Sequence, residues 1–339
     1  MSKPKHILVI RLSAMGDVAM TVPVLRAFTQ QYPNVKITVL TRDFFTPLFR
    51  DLKNVTVFHA DVKGKHKGLV GLYKLSRELK KEKCDAIADL HKVLRTKVLK
   101  PFLGIRKVAT IDKGRKAKKQ LTKGKIFEPL KTTHQRYEDV FETLGFPLDL
   151  SKPNFPIPAA LNPNISNIIG GSNKKRIGIA PFAAHDGKKY PLELMEQVIK
   201  ELAKNHQVLL FGGGKKEVQI LNYFESEADG IINMAGKLSF SEELDVISNL
   251  DVMLSMDSGN AHLAAMLGVK VVTIWGVTHP FAGFAPFNQP EDYALVADRN
   301  KYPKIPTSIY GNKYPDDYKD AAGSISVERV VAKITAVLN

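Results

Sequence analysis

The chain has 339 residues, with 50 Lys and Arg against 34 Asp and Glu, a net charge of +16 and a pI near 9.6, which favours polyanionic partners. Its length favours two domains, and 44% hydrophobic residues with ordinary numbers of Gly and Pro exclude a disordered or fibrous protein. The single cysteine, Cys84, excludes an internal disulfide, and no apolar run reaches the roughly 20 residues of a membrane-spanning helix.

In the first half, short apolar runs alternate with helical segments. The predicted strands are 6–10, 36–40, 54–58, 84–89 and 107–111, and the predicted helices lie near 18–31, 68–82 and 134–144. This alternation is typical of a parallel sheet covered by helices on both faces. The next segment, 146–170, has five prolines and no periodic pattern, so we predict an interdomain linker at 156–172.

The second half repeats the same alternation. The predicted strands are 176–180, 207–211, 231–233, 252–255 and 269–275, with helices near 192–204, 215–227, 241–249, 259–267 and 326–338. Ser241 is the expected N-cap of the third of these helices. The prediction is an α/β protein with two Rossmann-like doubly wound domains, 1–155 and 173–325, and a C-terminal helix within 326–339. Ligands of such folds bind at the loops that follow the strands.

The loop after the first strand, Arg11 to Asp17, contains one glycine, Gly16. A dinucleotide fingerprint needs three, so a nicotinamide dehydrogenase is disfavoured. Asp17 stands at the expected start of a helix, where an ordinary N-cap is one interpretation. The other is a general base that takes a proton from a sugar hydroxyl, kept ionised by the helix N-terminus.

Two loops of the second half carry candidate phosphate contacts. Lys188 and Lys189 follow its first strand and either bind phosphate as point charges or face solvent. Gly212 and Gly213 follow its second strand and either let the backbone approach a ligand or form a tight turn. Their spacing is not that of a P-loop, and we interpret them as walls of a nucleotide pocket.

The most specific pattern is S-M-D-S-G-N-A-H at 255–262, which ends an apolar strand and begins a small-residue helix. Gly259 permits close backbone approach, and the helix N-terminus favours an anionic pyrophosphate. Asp257 is placed to accept hydrogen bonds from sugar hydroxyls. His262, one turn into the helix, either reaches the same phosphate or is a structural histidine bonded to a neighbouring carbonyl.

Together these motifs resemble glycosyltransferase family 9. The resemblance is carried by R-L-S-A-M-G-D-V at 11–18, K-K-Y-P at 188–191, and M-D-S-G-N-A-H at 256–262 followed by I-W-G-V-T at 274–278, and it extends over nearly the whole chain. It implies the glycosyltransferase-B fold, with two Rossmann-like domains that face a cleft. Tyr190 stands where the family commonly has Trp, and Ala183-Ala184-His185 replaces a more polar stretch. Another nucleotide sugar or another acceptor therefore stays open.

The resemblance also implies roles for single residues. Asp17 is then the catalytic base, and Lys188 acts in catalysis on the donor phosphate. With the glycine loop, the donor-binding set is Gly212, Gly213, Asp257, Ser258, Gly259, His262 and Thr278, and the acceptor-binding set is Arg11, Ser13, Met15 and Gly16. The implied donor is ADP-heptose, and the implied acceptor is the phosphorylated inner core of lipopolysaccharide. The acceptor hydroxyl attacks the anomeric carbon with inversion as ADP departs. No metal site and no cofactor are expected.

Charge distribution helps to choose the remaining partners. Residues 92–131 contain fourteen Lys and Arg but only Asp112 and Glu128. We interpret this region as a contact to the phosphorylated glycolipid or the anionic inner-membrane surface, with a solvated charged face as the alternative. Nucleic acid is not an expected partner, because the chain has no zinc-finger spacing, RNP-like run or basic zipper helix. A nucleotide-sugar epimerase of the same fold is a second alternative. The expected location is the cytoplasm, peripheral on the inner face of the inner membrane.

Overall fold

The computed structural model describes residues 3–339, so the first two positions of the predicted 1–155 domain lie outside it. The chain divides into two compact units. The first contains the residues up to Lys113 together with Thr132–Asn154, and the second contains Gly114–Lys131 and Phe155–Asn339. The second unit thus includes a segment of the first half of the chain, 114–131.

The first unit is built on a five-stranded parallel sheet of order β3-β2-β1-β4-β5. Its elements are β1 (His6–Ile10), α1 (Met15–Ala19), α2 (Thr21–Gln31), β2 (Lys36–Thr41), β3 (Val55–His59), α3 (Gly68–Leu79), β4 (Ala86–Asp89), α4 (Leu94–Leu103), β5 (Lys107–Thr110), then α5 (Arg115–Thr122) of the second unit, and α6 (Thr133–Thr143).

Helices cover both faces of this sheet. The four residues from Ile7 to Ile10 are at most 1% exposed, although successive side chains of a strand point to opposite faces. On one face, Leu8 packs in a core with Leu72 of α3 and Leu99 of α4. A central strand buried on both sides needs a continuous apolar run, which is the pattern of the sequence here.

The second unit has a six-stranded parallel sheet of order β11-β10-β9-β6-β7-β8. Its elements after α5 are α7 (Pro163–Ile169), β6 (Arg176–Ala180), α8 (Leu192–Ala203), β7 (Gln207–Leu210), α9 (Lys215–Ser226), β8 (Ile231–Asn233), α10 (Phe240–Ser248), β9 (Val252–Met256), α11 (Gly259–Met266), β10 (Lys270–Trp275), β11 (Ala294–Val296) and α12 (Val327–Leu338). The C-terminal helix α12 is part of this core, because Val330, Ile334 and Val337 are buried in it.

The ten predicted strands are confirmed with bounds within two residues, and the α/β class with two parallel sheets is confirmed. Three helical expectations were wrong or incomplete. The linker contains α7, since Pro163 occupies the first helical position, where its missing N–H costs nothing, and Asn162 caps the helix. The predicted helix 18–31 is divided into α1 and α2 at Met20. The N-cap of α10 is Ser239, whose Oγ accepts from Glu242 N–H, rather than Ser241.

Besides α7, two helices and one strand were not predicted. Helix α4 contains Pro101, which breaks the sequence pattern although it lies in the last turn before Gly104. Helix α5 buries only Leu121 and has no apolar stripe that periodicity can detect. Strand β11 has three residues at the sheet edge, too few for a pattern. Within residues 3–339, no helix is both long and apolar enough to cross a membrane.

Candidate active site

In the first unit, the candidate residues lie where the strand order reverses. Strands β1 and β4 are neighbours in the sheet, and the chain leaves them in opposite directions, which opens a crevice at their carboxyl ends. Arg11 follows β1 directly and is 6% exposed. Its guanidinium donates to the carbonyl of Leu90, after β4, at 2.7 Å and pairs with Asp17 Oδ2 at 2.5 Å. The loops after β1 and β4 are thus joined through one arginine.

Asp17 is not the N-cap that one interpretation expected. It is the third residue of α1, and the N-cap position is held by Ala14, whose N–H donates to Asp17 Oδ2 at 3.2 Å. The backbone carbonyl of Asp17 accepts from the hydroxyl of Tyr137 at 3.2 Å. The Asp17 side chain is 29% exposed, against 7% for Arg11, so its carboxylate is open to a ligand while its ion-pair partner is buried.

The other predicted acceptor residues stand in the same loop. Ser13 is half-buried before α1, and Met15 and Gly16 form the first turn of that helix and are also half-buried. The structure therefore brings the predicted acceptor set together with Asp17. This placement follows directly from their closeness in sequence.

His91 is a residue that the sequence did not single out. It is 7% exposed, and its Nδ1 accepts from Leu12 N–H at 3.4 Å. Burial, with the positive charges of Arg11 and Lys113, lowers the pKa of His91 to about 4. The ring is neutral near pH 7, so with Nδ1 as acceptor its proton is on Nε2, which makes it a hydrogen-bond donor beside Arg11.

Asp89, at the end of β4, orders the His91 loop. Its carboxylate is fully buried and accepts from the backbone N–H groups of His91 at 3.1 Å and Lys92 at 2.8 Å. Lys100 pairs with it at 2.8 Å, and the Thr96 hydroxyl donates at 2.9 Å. Burial opposes ionisation, but these partners outweigh it and hold the pKa of Asp89 below its ordinary value. A charged, fully bonded carboxylate is a rigid support for the loop.

In the second unit, the strand order reverses between β6 and β9. Lys188 ends a short 3-10 turn after β6, and Asp257 follows β9. Lys188 Nζ lies 2.7 Å from Asp257 Oδ2, and Thr278, after β10, donates its hydroxyl to the same carboxylate at 2.9 Å. Three predicted donor-site residues from three loops therefore form one cluster. Asp257 is held by protein partners, whereas the sequence had placed it as an acceptor for sugar hydroxyls.

Close backbone packing positions Lys188. Val277 N–H donates to the carbonyl of Gly187 at 2.8 Å. A Cβ on Gly276 would collide with that carbonyl oxygen, and a Cβ on Gly187 would lie 2.5 Å from Val277 Cγ2. Only glycine fits at both positions, so the loops after β6 and β10 meet without intervening side chains.

The remaining donor candidates surround this edge of the sheet. Ser258 is the N-cap residue of α11, and its hydroxyl makes no capping bond but lies 3.1 Å from the Ser255 hydroxyl. Gly259 is the first helical residue, and His262 is 7% exposed in the same helix. Gly213, after β7, donates its N–H to Glu217 at 2.7 Å. A Cβ on its neighbour Gly212 would meet Phe182 at 3.1 Å, and Phe182 follows β6.

The basic region 92–131 is divided between the two units, which the sequence did not predict. Residues 114–131 pack on the second unit beside Thr278. Arg299 lies 3.4 Å from the Phe127 ring centroid, and Phe127 contacts His279 at 5.0 Å between ring centroids. Burial and the charge of Arg299 lower the pKa of His279 to about 4, so this contact is made by a neutral ring. Aromatic and cation–π contacts, which have no simple sequence period, attach the segment here.

Tyr190, the departure noted at K-K-Y-P, is a core residue. It is 1% exposed and donates its hydroxyl to the carbonyl of Ile325 at 2.7 Å. Its difference from Trp therefore concerns packing in the second unit. For metals, no three His, Cys, Asp or Glu side chains in the described part of the chain are grouped closely enough to hold an ion.

The fold and the two switch-point clusters define a class, the two-domain α/β proteins of the glycosyltransferase-B type. A solved glycosyltransferase family 9 protein from Veillonella parvula has a TM-score of 0.76, with 20% identity and coverage of 98% of this chain and 97% of its own. The structure of Escherichia coli heptosyltransferase WaaC with ADP has a TM-score of 0.69, with 15% identity and coverage of 98% and 99%. At these identities, the similarity concerns the fold.

The family follows from the sequence. The model of glycosyltransferase family 9 (heptosyltransferase) matches residues 72–312, and the chain belongs to this family. A lipopolysaccharide core heptosyltransferase from Haemophilus influenzae, OpsX, is 25% identical over 308 residues, which are 88% of this chain and 86% of the relative. Lipopolysaccharide heptosyltransferase 3 of Escherichia coli is 22% identical over 278 residues, or 78% and 81%. The predicted resemblance is confirmed, and the chain is a glycosyltransferase.

Proposed function

We propose that this chain is an inverting heptosyltransferase that moves heptose from ADP-heptose to the phosphorylated inner core of lipopolysaccharide. The observation that carries the proposal is the cluster of Lys188, Asp257 and Thr278 at the switch point of the second sheet, in a family 9 chain. A lysine and a helix N-terminus at this position suit a nucleotide diphosphate. The relatives named above are heptosyltransferases of lipopolysaccharide, which supports the choice of donor and acceptor.

Each unit takes one substrate in this proposal. The first, predicted as 1–155, binds the acceptor through Arg11, Ser13, Met15 and Gly16, and the Nε2–H of His91 is a further donor there. The second, predicted as 173–325 after the linker 156–172 and completed by 326–339, binds the donor. The side chain of Lys188 is 16% exposed, and we infer that it keeps Asp257 as a neighbour while its charge also faces the diphosphate. The donor-binding set is otherwise the one predicted from the sequence.

Asp17 is the proposed base. The acceptor oxygen forms a bond to the anomeric carbon from the face opposite the diphosphate, the bond from that carbon to the diphosphate oxygen breaks, and ADP leaves. The acceptor proton passes to Asp17. Arg11, whose guanidinium lies 2.5 Å from Asp17 Oδ2, holds the carboxylate in place to receive that proton as the oxocarbenium-like transition state forms. Lys188 and the N-terminal N–H groups of α11 offset the charge that grows on ADP.

The location follows from the acceptor. We place the enzyme in the cytoplasm, peripheral on the inner face of the inner membrane, where a lipid-linked core is accessible. The basic residues of 92–131 contribute attraction to phosphorylated glycolipid and anionic lipid, about 1 kcal/mol for each cation near the surface. Their division between the two units gives each unit part of this charge.

Calorimetric titration and turnover test the proposal together. Purified protein is titrated with ADP, UDP, GDP and ADP-heptose, and turnover is measured on extracted core glycolipid for wild type, Asp17→Asn and the exposed control Asp43→Asn. We expect selective micromolar binding of ADP in all three, with turnover reduced at least about a hundredfold only in Asp17→Asn. Selectivity for UDP or GDP would change the donor. Absence of nucleotide binding would overturn the proposed function. Full turnover by Asp17→Asn would show that Asp17 is not the general base.

A further inference from the structure

An apolar surface is exposed at the N-terminal end of α3. Leu69 is 66% exposed, Val70 70% and Tyr73 52%, and they form one patch because residues three and four apart are neighbours on a helix. The opposite side of the same helix is buried through Leu72 and Leu75. Single exposed apolar residues are common, but three adjacent ones on one helical turn indicate a contact surface.

The patch lies at the edge of the first sheet that carries the Arg11–Asp17 loop. Helices that connect parallel strands begin at the carboxyl ends of those strands, and α3 and α4 follow β3 and β4. The two helices are adjacent, since the Tyr73 and Phe102 rings are 5.8 Å apart. The first residue of α4, Leu94, is 77% exposed at the same edge. Whatever covers the patch therefore also approaches the proposed acceptor site.

Lysines surround the patch. Lys63, Lys67 and Lys74 are exposed and, within residues 3–339, have no carboxylate partner at ion-pair distance. The two nearby acids are occupied, because Asp61 accepts from the N–H groups of Gly64 and Lys65, and Glu78 pairs with Lys65 at 2.7 Å. The surface is thus apolar at its centre and cationic at its rim.

We propose that the α3 tip, residues 63–74, is a bilayer-docking surface. Leu69, Val70 and Tyr73 enter the boundary between headgroups and acyl chains, while the lysines contact anionic headgroups. The choice of a lipid bilayer rests on the proposed function, since a lipid-linked acceptor has to reach this edge of the sheet. A second copy of the chain fits less well, because a symmetric contact would place the same lysines opposite each other.

Vesicle co-sedimentation tests the surface. The full chain is mixed with vesicles of phosphatidylethanolamine and phosphatidylglycerol at 3:1, and with phosphatidylcholine vesicles. The double variant Leu69→Gln/Val70→Gln should lose at least about tenfold in partitioning to the anionic vesicles. The matched control, Ile157→Gln/Tyr223→Gln, replaces residues that are 89% and 50% exposed elsewhere and should bind as wild type. Lys63→Gln/Lys67→Gln should lose roughly fivefold per lysine and make binding less sensitive to salt.

Several results would overturn the inference. One is an equal loss of vesicle partitioning in the control variant, and another is unchanged vesicle binding by Leu69→Gln/Val70→Gln. A third is a change between monomer and dimer in solution caused by Leu69→Gln/Val70→Gln, which would identify a second copy of the chain as the occupant of the patch. All three double variants change exposed side chains, and an unchanged melting temperature verifies that they fold.

Activity separates this inference from the proposed function. The α3 variant should keep wild-type turnover on detergent-dispersed glycolipid and show a raised KM on glycolipid in vesicles. Wild-type activity in detergent with no vesicle defect would overturn only the docking surface. Absence of transfer by the wild-type protein in detergent would overturn the proposed function, whatever the vesicles show.

Discussion

Replacing Lys188 with Met should both destabilise the second unit and weaken binding of the donor at least about tenfold. The ammonium lies 2.7 Å from Asp257 Oδ2, and the two side chains are 16% and 6% exposed. Removal of one member of a buried pair leaves an uncompensated charge and costs about 3–5 kcal/mol. The lower end applies, since Thr278 still donates to Asp257 at 2.9 Å. About 3 kcal/mol corresponds to a fall in melting temperature of roughly 6–12 °C.

A second substitution separates the stability effect from the binding effect. In Lys188→Met/Asp257→Asn, the uncompensated charge is gone, and the amide oxygen still accepts from Thr278. We expect most of the lost melting temperature to return, whereas ADP affinity, measured by calorimetry, should stay at least about tenfold below wild type because the cation is absent. Lys189→Met is the matched control, because its pair with Asp186 is 47% and 61% exposed and contributes less than about 1 kcal/mol.

The reasoning fails if the double variant regains wild-type affinity for ADP, since Lys188 would then have only a structural role. It also fails if Lys188→Met melts as wild type, which would mean that the pair is not desolvated. The control Lys189→Met should have the melting temperature and the ADP affinity of wild type.

Three further predictions concern residues around the two clusters. Gly276→Ala should lower the free energy of unfolding by about 2 kcal/mol and reduce turnover, because its Cβ collides with the carbonyl of Gly187 in the loop that carries Lys188. Urea unfolding and measurement of kcat check this. The pKa of His91 is about 4 in the folded chain, against 6.5 in the unfolded chain. The stabilising effect of the neutral ring on the folded state is therefore complete above pH 6.5. It is lost below pH 6.5, because only the unfolded chain takes up a proton there. Between pH 6.5 and 4.5, the free energy of unfolding of wild type should therefore fall by about 2 kcal/mol more than that of His91→Gln. Equal pH dependence of the two free energies would contradict this. Tyr190→Phe should cost about 1–2 kcal/mol by leaving the Ile325 carbonyl unsatisfied, with kcat unchanged, and a large change in KM for the donor would place the ring in the site instead.

The elements with a regular apolar pattern were predictable because local interactions decide them. Strands β1 and β9 have uninterrupted apolar runs, and their predicted bounds agree with the structure to within one residue. Helix α7 does not follow from the pattern, because prolines such as Pro163 usually end a helix, although proline is suited to the first helical position. Helix α5 was missed because it buries almost nothing on its own and depends on contacts made by the following residues.

The candidate site also has features that local sequence predicts and features that depend on the tertiary fold. The α/β class, the family, and the loops after strands in which Asp17, Lys188 and Asp257 stand follow from local patterns and motifs. The partners of these residues depend on the tertiary fold. Arg11 meets Leu90, 79 residues away, and Lys188 meets Asp257, 69 residues away, because β1 lies beside β4 and β6 beside β9. Strand order depends on how whole faces of helices and sheets bury one another, and no residue carries that information in its local pattern. The attachment of 114–131 to the second unit and the position of His91 beside Arg11 have the same origin.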